Sequence, residues 1–224
     1  MVTRITEITA DGSHTLYIPE MDEHYHSVNG AVQESRHVFI EAGLHQVKKE
    51  KIRIVEIGFG TGLNALLTWV DTANERDREI EYYAVERYPL PLEVVRTLNY
   101  GGKVCPGKEE LFPALHTAPW DKPVVLSDRF MLHKMQGDSH TILLPDRIDL
   151  VYFDAFAPDK QPEMWTREIF HTLYHHMADG GILTTYCAKG SVRRMMKETG
   201  YAVERIPGPP GKREMLRATK KEKG

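Results

Sequence analysis

The residues best suited to chemistry are one short run, Glu56-Ile57-Gly58-Phe59-Gly60-Thr61-Gly62, and three acidic positions beyond it, Glu86, Asp138 and Asp154. Glycines at alternate positions let a main chain approach a ligand that Cβ atoms would block, and a helix opening behind them offers free N–H groups. A purely structural tight turn would use the same residues. The carboxylates suggest a nucleoside. Glu86, 24 residues beyond Gly62, is placed to accept both ribose hydroxyls of an adenosine, and Asp138 to meet the adenine edge. Any one of them could instead cap a helix, but three at successive strand ends beside a glycine turn are hard to assign to capping alone. Asp154 opens the most distinctive segment, Asp154-Ala155-Phe156-Ala157-Pro158-Asp159-Lys160-Gln161-Pro162-Glu163-Met164-Trp165. Two prolines stiffen it. An aromatic over a flat base, with a carboxylate beside an amine, would suit alkylation of a nucleobase substituent. Trp165, at a helix start, is expected in the core.

Holding these groups together requires strands that end where they stand. The β-branched run Ile52 to Ile57 predicts a buried strand closed by the glycines, with a helix over Leu63 to Val70. Further strands are predicted over Ile80–Val85, Phe130–Met135, Ile148–Phe153 and Ile182–Tyr186. Helices are predicted at Glu34–Leu44, Leu92–Leu98, near Thr141, at Met164–Met177 and at Val192–Thr199, with a turn at Asp179-Gly180-Gly181. Tyr201–Ile206 and Glu214–Ala218, separated by Pro-Gly-Pro-Pro-Gly, read as a closing antiparallel pair. Residues 100–123, broken by four prolines, read as a less regular insertion. The alternation predicts an α/β, Rossmann-like fold with a mostly parallel sheet, a C-terminal antiparallel strand pair and an N-terminal extension. Residues 1–45 form the extension and 46–224 the main domain. The ligand belongs beyond the carboxyl ends of the strands.

A dinucleotide fingerprint reads G-x-G-x-x-G. Here the third glycine comes one residue early, and E-x-G-x-G-x-G is the pattern associated with S-adenosylmethionine methyltransferases, whose ligand has a cationic sulfonium and no pyrophosphate. Composition bounds the rest. With 41% hydrophobic residues and a net charge of −3 over 224 residues, disorder is excluded, and no apolar run approaches a membrane span. Met1 to Ser13 has no apolar signal region. Cys105 and Cys187 form no C-x-x-C, so a cysteine zinc site is excluded and a cytoplasmic protein with two free thiols is expected. The histidines (His24, His26, and His171, His175 and His176) lack an H-E-x-x-H partner, and no metal is expected. From Lys189 onward eleven Lys/Arg face four Asp/Glu, a distribution that attracts a polyanion or marks a solvated tail.

Five landmarks give the sequence a specific resemblance: Tyr25 to Phe39 (Y-H-S-V-N-G-A-V-Q-E-S-R-H-V-F), Glu56 to Asn64 (E-I-G-F-G-T-G-L-N), Val85 to Leu90 (V-E-R-Y-P-L), Asp154 to Trp165, and Gly211 to Leu216 (G-K-R-E-M-L). In this order they resemble the MnmC/MnmD-type tRNA 5-aminomethyl-2-thiouridine methyltransferases. The resemblance implies S-adenosyl-L-methionine as cofactor and N-methylation of the aminomethyl group on the wobble uridine of tRNA. It implies cofactor contacts from Tyr25, Glu56, Gly58, Gly60, Gly62, Asn64, Glu86, Asp138 and Asp154, with the N-terminal stretch closing over them. Asp154 would orient the amine and accept its proton, while Phe156, Pro158 and Lys160 face the substrate. Arg193, Arg194, Lys212 and Arg213 would hold anticodon-loop phosphates; Lys220, Lys221 and Lys223 are expected in a tail. The family loop reads D-G-F-A-P-x-K-N-P, from which Ala155 and Gln161 depart. A length of 224 residues leads to the expectation of a stand-alone form without the FAD-dependent oxidase half, partnered by a separate oxidase or upstream modification enzymes. Rival readings are a methyltransferase of a small-molecule amine, an NAD-type oxidoreductase, and a non-catalytic RNA-binding module.

Overall fold

A computed structural model of the chain describes residues 2–74 and 78–222. Its first elements are a small antiparallel sheet, β1 (Ile5–Ile8), β2 (His14–Ile18) and β3 (Glu23–His24). A short helix, α1 (Ala31–Ser35), then runs into a π-helical stretch over Arg36–Glu41.

The main sheet begins with β4 (Lys51–Ile57), followed by α2 (Leu63–Asn74), β5 (Glu79–Glu86), α3 (Leu92–Val95), α4 (Tyr100–Val104) and α5 (Leu111–Thr117). It continues through β6 (Pro123–Ser127), β7 (Phe130–Gln136), β8 (Ile148–Phe153), α6 (Arg167–His176), β9 (Met177–Thr185), α7 (Gly190–Thr199), β10 (Ala202–Pro207) and β11 (Glu214–Thr219). The spatial order is β10-β11-β9-β8-β4-β5-β7-β6. The five strands from β9 to β7 are parallel to one another, while β6, β10 and β11 pair antiparallel. The Rossmann-like architecture and its closing antiparallel pair are therefore as the sequence predicts.

β8 shows why the register is firm. It has parallel partners on both sides and is buried at every position, so an apolar run replaces the alternation of a half-exposed strand. Its one charge, Asp149, accepts hydrogen bonds from Lys49 Nζ (2.5 Å) and the Arg53 main-chain N–H (2.9 Å). β5 to β7 lie on one side of β4 and β8 to β11 on the other, and this reversal opens a crevice at the carboxyl end of β4.

Three sequence expectations are corrected. No helix forms near Thr141; the Thr141 and Ile142 N–H groups donate to the Asp138 carbonyl in a turn, between Gly137 and Pro145. Asp179-Gly180-Gly181 lies inside β9, where Gly180 at φ 75° accommodates a register shift against β8. The proline-broken stretch of residues 100–123 holds two helices and leads into the edge strand β6, because its prolines fall at the ends of these elements or in the first turn of α5. Among the described residues, no helix is long and apolar enough to cross a membrane.

Candidate functional site

A cavity of about 860 Å3 opens at the carboxyl ends of β4, β5, β7 and β8 and is also lined by residues between Ile18 and Glu34. Gly58, Gly60, Asn64, Glu86, Asp138, Asp154, Tyr25, Phe156, Lys160 and Lys212 all line it, drawn together from across the chain.

The glycine turn forms its floor. The N–H groups of Gly58 and Phe59 both donate to the Val85 carbonyl (3.0 and 3.1 Å), anchoring the turn to the end of β5. Gly58 has φ 91°, and a Cβ there would stand 2.7 Å from the Asp154 carbonyl oxygen, so the position admits only glycine. A Cβ on Gly60 would lie 3.3 Å from the Tyr25 ring. The Gly60 N–H donates to Glu86 Oε2 (3.0 Å), and the Tyr88 N–H to Glu86 Oε1 (2.7 Å), so the carboxylate is aimed by main chain on both sides. Gly62 is set apart. It does not line the cavity, and a Cβ there would meet His116 Nε2 at 2.9 Å.

Behind the floor runs a chain of acids. Asn64 Nδ2 donates both to Glu56 Oε1 (2.9 Å) and to Asp154 Oδ2 (2.8 Å). Glu56 is wholly buried and does not line the cavity. Burial pushes its carboxyl well above the usual carboxylate range, against the pull of the Asn64 bond. Burial likewise raises Asp154, to about 7. Asn64 Oδ1 is buried with no hydrogen-bond partner. Asp138 is tuned in the opposite sense. The His140 N–H (2.9 Å) and ring Nδ1 (2.8 Å) bond Oδ1, and Arg87 Nη1 (3.0 Å) bonds Oδ2. These hydrogen bonds, with that from the His140 main chain the largest, hold its carboxyl below the usual range.

The facing wall is drawn from the N-terminal segment, the stretch after β8, Tyr186 beyond β9, and Lys212. Tyr25 meets Phe156 edge-on at 5.0 Å, and Arg4 Nε donates to its hydroxyl (3.3 Å). Trp165 packs on Phe153 in the core and donates its Nε1–H to the Phe156 carbonyl (2.7 Å), so its expected core role includes fixing the loop. Tyr186 donates its hydroxyl to the Ala155 carbonyl (2.8 Å). Lys160 Nζ reaches across to the Met21 carbonyl (2.9 Å). Lys212 Nζ donates to Glu34 Oε1 (2.9 Å) and sits 4.1 Å from the centre of the Tyr186 ring, while Glu34 Oε2 accepts the Ser27 N–H (2.8 Å).

Sequence reasoning missed Glu34 and Tyr186. Glu34 lies inside the first landmark and Lys212 inside the last, but 178 residues separate them. It also missed Thr61, whose hydroxyl meets His26 Nε2 (2.7 Å) and whose carbonyl meets His116 Nε2 (3.0 Å). Burial lowers both histidines to about 4, so both are neutral at pH 7.

Several residues stand elsewhere than expected. Lys212 is committed to Glu34 within the cavity. Pro158, Arg193, Arg194 and Arg213 do not line the cavity; Arg194 and Arg213 are exposed, and Arg193 Nε is buried without a partner. Lys220 is not in a solvated tail, because its Nζ donates to the Met177 carbonyl (2.7 Å). Lys221 is exposed, and Lys223 lies outside the described residues. His171 and His175 face each other on α6 with ring nitrogens 3.0 Å apart. Among the described residues, no group of three or more His, Cys, Asp or Glu is placed to hold a metal ion.

Residues 126–221 match a family described as S-adenosyl-L-methionine-dependent methyltransferase. The tRNA 5-methylaminomethyl-2-thiouridine biosynthesis bifunctional protein MnmC of Ectopseudomonas mendocina is 36% identical over 209 residues, which is 87% of this chain and 32% of that protein. Its counterpart in Cupriavidus metallidurans is 32% identical over 237 residues, covering 96% of this chain and 34% of that protein. The chain thus spans about a third of the length of these relatives. The crystal structure of MNMC2 from Aquifex aeolicus is similar with a TM-score of 0.80 at 25% identity, over 100% of this chain and 72% of that one. Spermidine synthase from Thermotoga maritima, at a TM-score of 0.53 and 11% identity over 96% and 71% of the two chains, shares the fold alone.

Proposed function

We propose, for a chain that belongs to the S-adenosyl-L-methionine-dependent methyltransferase family and corresponds to the methyltransferase portion of MnmC, that it methylates the aminomethyl nitrogen of the wobble uridine in tRNA. The observation that carries this reading is a carboxyl raised to about 7, Asp154, standing where the glycine turn meets an aromatic wall.

The cavity suits the cofactor. The Gly58–Gly60 turn leaves main chain where side chains would intrude, Glu86 is aimed for ribose hydroxyls, and Asn64 Oδ1 is a buried acceptor lacking a donor, as an amino group would supply. Tyr25, Gly58, Gly60, Asn64, Glu86 and Asp138 would hold it, with Glu56 and Gly62 acting from behind. When bound, S-adenosyl-L-methionine supplies an electrophilic methyl group on a sulfonium.

The protein's own work is then positioning and proton transfer. A primary ammonium must lose a proton before its nitrogen can attack, and a carboxylate with affinity near pH 7 accepts that proton at Asp154 Oδ while orienting the lone pair. Asn64 keeps Asp154 from turning away. Phe156 and Tyr25 provide an apolar wall for a splayed base and shield the amine from water. The segment preceding Glu34 closes this wall, and Lys160 latches it through Met21. The substrate places the protein in the cytoplasm with tRNA, downstream of enzymes that install the aminomethyl group. Arg193, Arg194 and Arg213 approach phosphates from outside the cavity.

Incubation with methyl-labelled S-adenosyl-L-methionine and tRNA bearing aminomethyl uridine, followed by nucleoside analysis, should place label in 5-methylaminomethyl-(2-thio)uridine. Label confined to free small amines would contradict the tRNA assignment.

A further inference from the structure

We propose that a second, outer cleft takes a backbone phosphate of the same RNA, next to the nucleotide whose base enters the cavity; this rests on the function proposed above. The cleft, about 510 Å3, lies between Gln33, Arg36, His37 and Glu41 on one side and the turn Gly208–Lys212 on the other. Lys212 lines both the cleft and the larger cavity, so the two are neighbours across one side chain.

The turn is a firm wall. The Gly208 N–H donates to the Arg213 carbonyl (3.2 Å) and the Lys212 N–H to the Pro209 carbonyl (2.9 Å). Gly211, at φ 86°, presses on Asn29 so closely that a Cβ would come within 2.1 Å of its Nδ2. His37 Nε2 lies 2.8 Å from the Pro207 carbonyl and its Nδ1 lies 3.5 Å from Glu41, which engages both of these side chains. Arg36 differs. Among the described residues it has no ion-pair or side-chain hydrogen-bond partner, and neither has Arg213 at the end of the turn. Of the two acids nearby, Glu34 is taken by Lys212 and Glu41 stands beside His37.

A base splayed into a pocket leaves its ribose and the adjoining phosphates at the mouth, where single-stranded RNA is held by cations tracking the backbone. A guanidinium fork matches phosphate oxygens in pairs, and an unpaired one on a rigid cleft has no internal bond to give up before binding. Arg36 therefore reads as an RNA contact that its sequence position, inside the N-terminal landmark, does not suggest.

The test is binding of a fluorescent anticodon stem–loop RNA, titrated with salt, by wild type, Arg36→Glu and Lys122→Glu. Lys122 is exposed beside β6, at the opposite edge of the sheet from β10. Arg36→Glu should weaken binding about tenfold near physiological salt and flatten the log–log salt slope by roughly 0.7, the value for one lost contact on a single strand. Affinity for S-adenosyl-L-methionine should stay unchanged, which reports an intact fold. Lys122→Glu should bind within about twofold of wild type, the scale of a charge away from the contact. RNA affinity of Arg36→Glu equal to wild type overturns the site, and so does an equal loss in Lys122→Glu. Wild type that binds a stem–loop carrying aminomethyl uridine but leaves it unmethylated refutes the proposed function while the cleft stands.

Discussion

The floor of the cavity and the wall facing it are built by opposite means. On the floor, main-chain groups of neighbouring strand ends do the holding, as when the Gly60 N–H bonds Glu86, 26 residues away. In the wall, side chains join distant parts of the chain, with Lys160 reaching Met21 across 139 residues and Lys212 reaching Glu34 across 178. A main-chain floor cannot shift without breaking its strands, which suits a cofactor of fixed shape. A wall tied by charges can exchange those ties for contacts with an incoming polyanion.

The sharpest way to break this contrast is Gly58→Ala. A left-handed backbone and a 2.7 Å approach to the Asp154 carbonyl should cost about 3 kcal/mol of stability and abolish calorimetric binding of S-adenosyl-L-methionine. On the wall, Lys212→Met should cost about 2 kcal/mol by leaving Glu34 buried and unpaired, and should leave cofactor affinity intact. Adding Glu34→Gln should restore most of that loss in denaturant unfolding, a coupling that an independent pair would not show.

Acid should loosen the seam between floor and wall. His26 and His116 have folded values near 4, below the ordinary 6.5, and both hold Thr61. Their contribution is complete above pH 6.5 and is lost as pH falls toward 4, because the unfolded chain takes up protons that the fold refuses. The slope of unfolding free energy against pH in this window should fall by about one proton in His26→Gln and again in His116→Gln. The smallest effect is expected for Lys160→Met, an exposed latch, with a rise in the apparent KM for tRNA of about threefold, equivalent to a typical surface pair.

The same contrast explains what could be read from sequence. The glycine turn, Glu86, Asp138 and Asp154 were legible because strand periodicity and spacing place them at the same edge of one sheet. Trp165 was legible as core because an aromatic at a helix start, behind a proline-stiffened loop, packs inward. Even there Glu56 and Gly62 proved to lie behind the cavity, since spacing gives a position on the sheet but not the side on which a chain is buried. The wall was not legible. Its partners meet only after the termini have folded back, so Lys212 looked like a surface cation and Glu34 like an ordinary helix acid. The β1–β3 sheet escaped notice because its strands are only two to five residues long, and in β2 the neighbouring Thr15 and Leu16 are both buried, so no apolar alternation can be read. Lys220 looked like tail because nothing local marks its bond to Met177.

The central claim is that Asp154, set between floor and wall, takes the proton of the substrate amine. The direct measurement is single-turnover methylation of aminomethyl-uridine tRNA against pH, for wild type and Asp154→Asn, with cofactor binding checked in each. The wild-type rate should rise with pH to half its plateau near pH 7, where the carboxylate forms. In Asp154→Asn it should fall by roughly 10²- to 10⁴-fold with cofactor affinity retained, the usual range for losing a general base. A variant that methylates at near wild-type rates with the same pH profile would contradict the account.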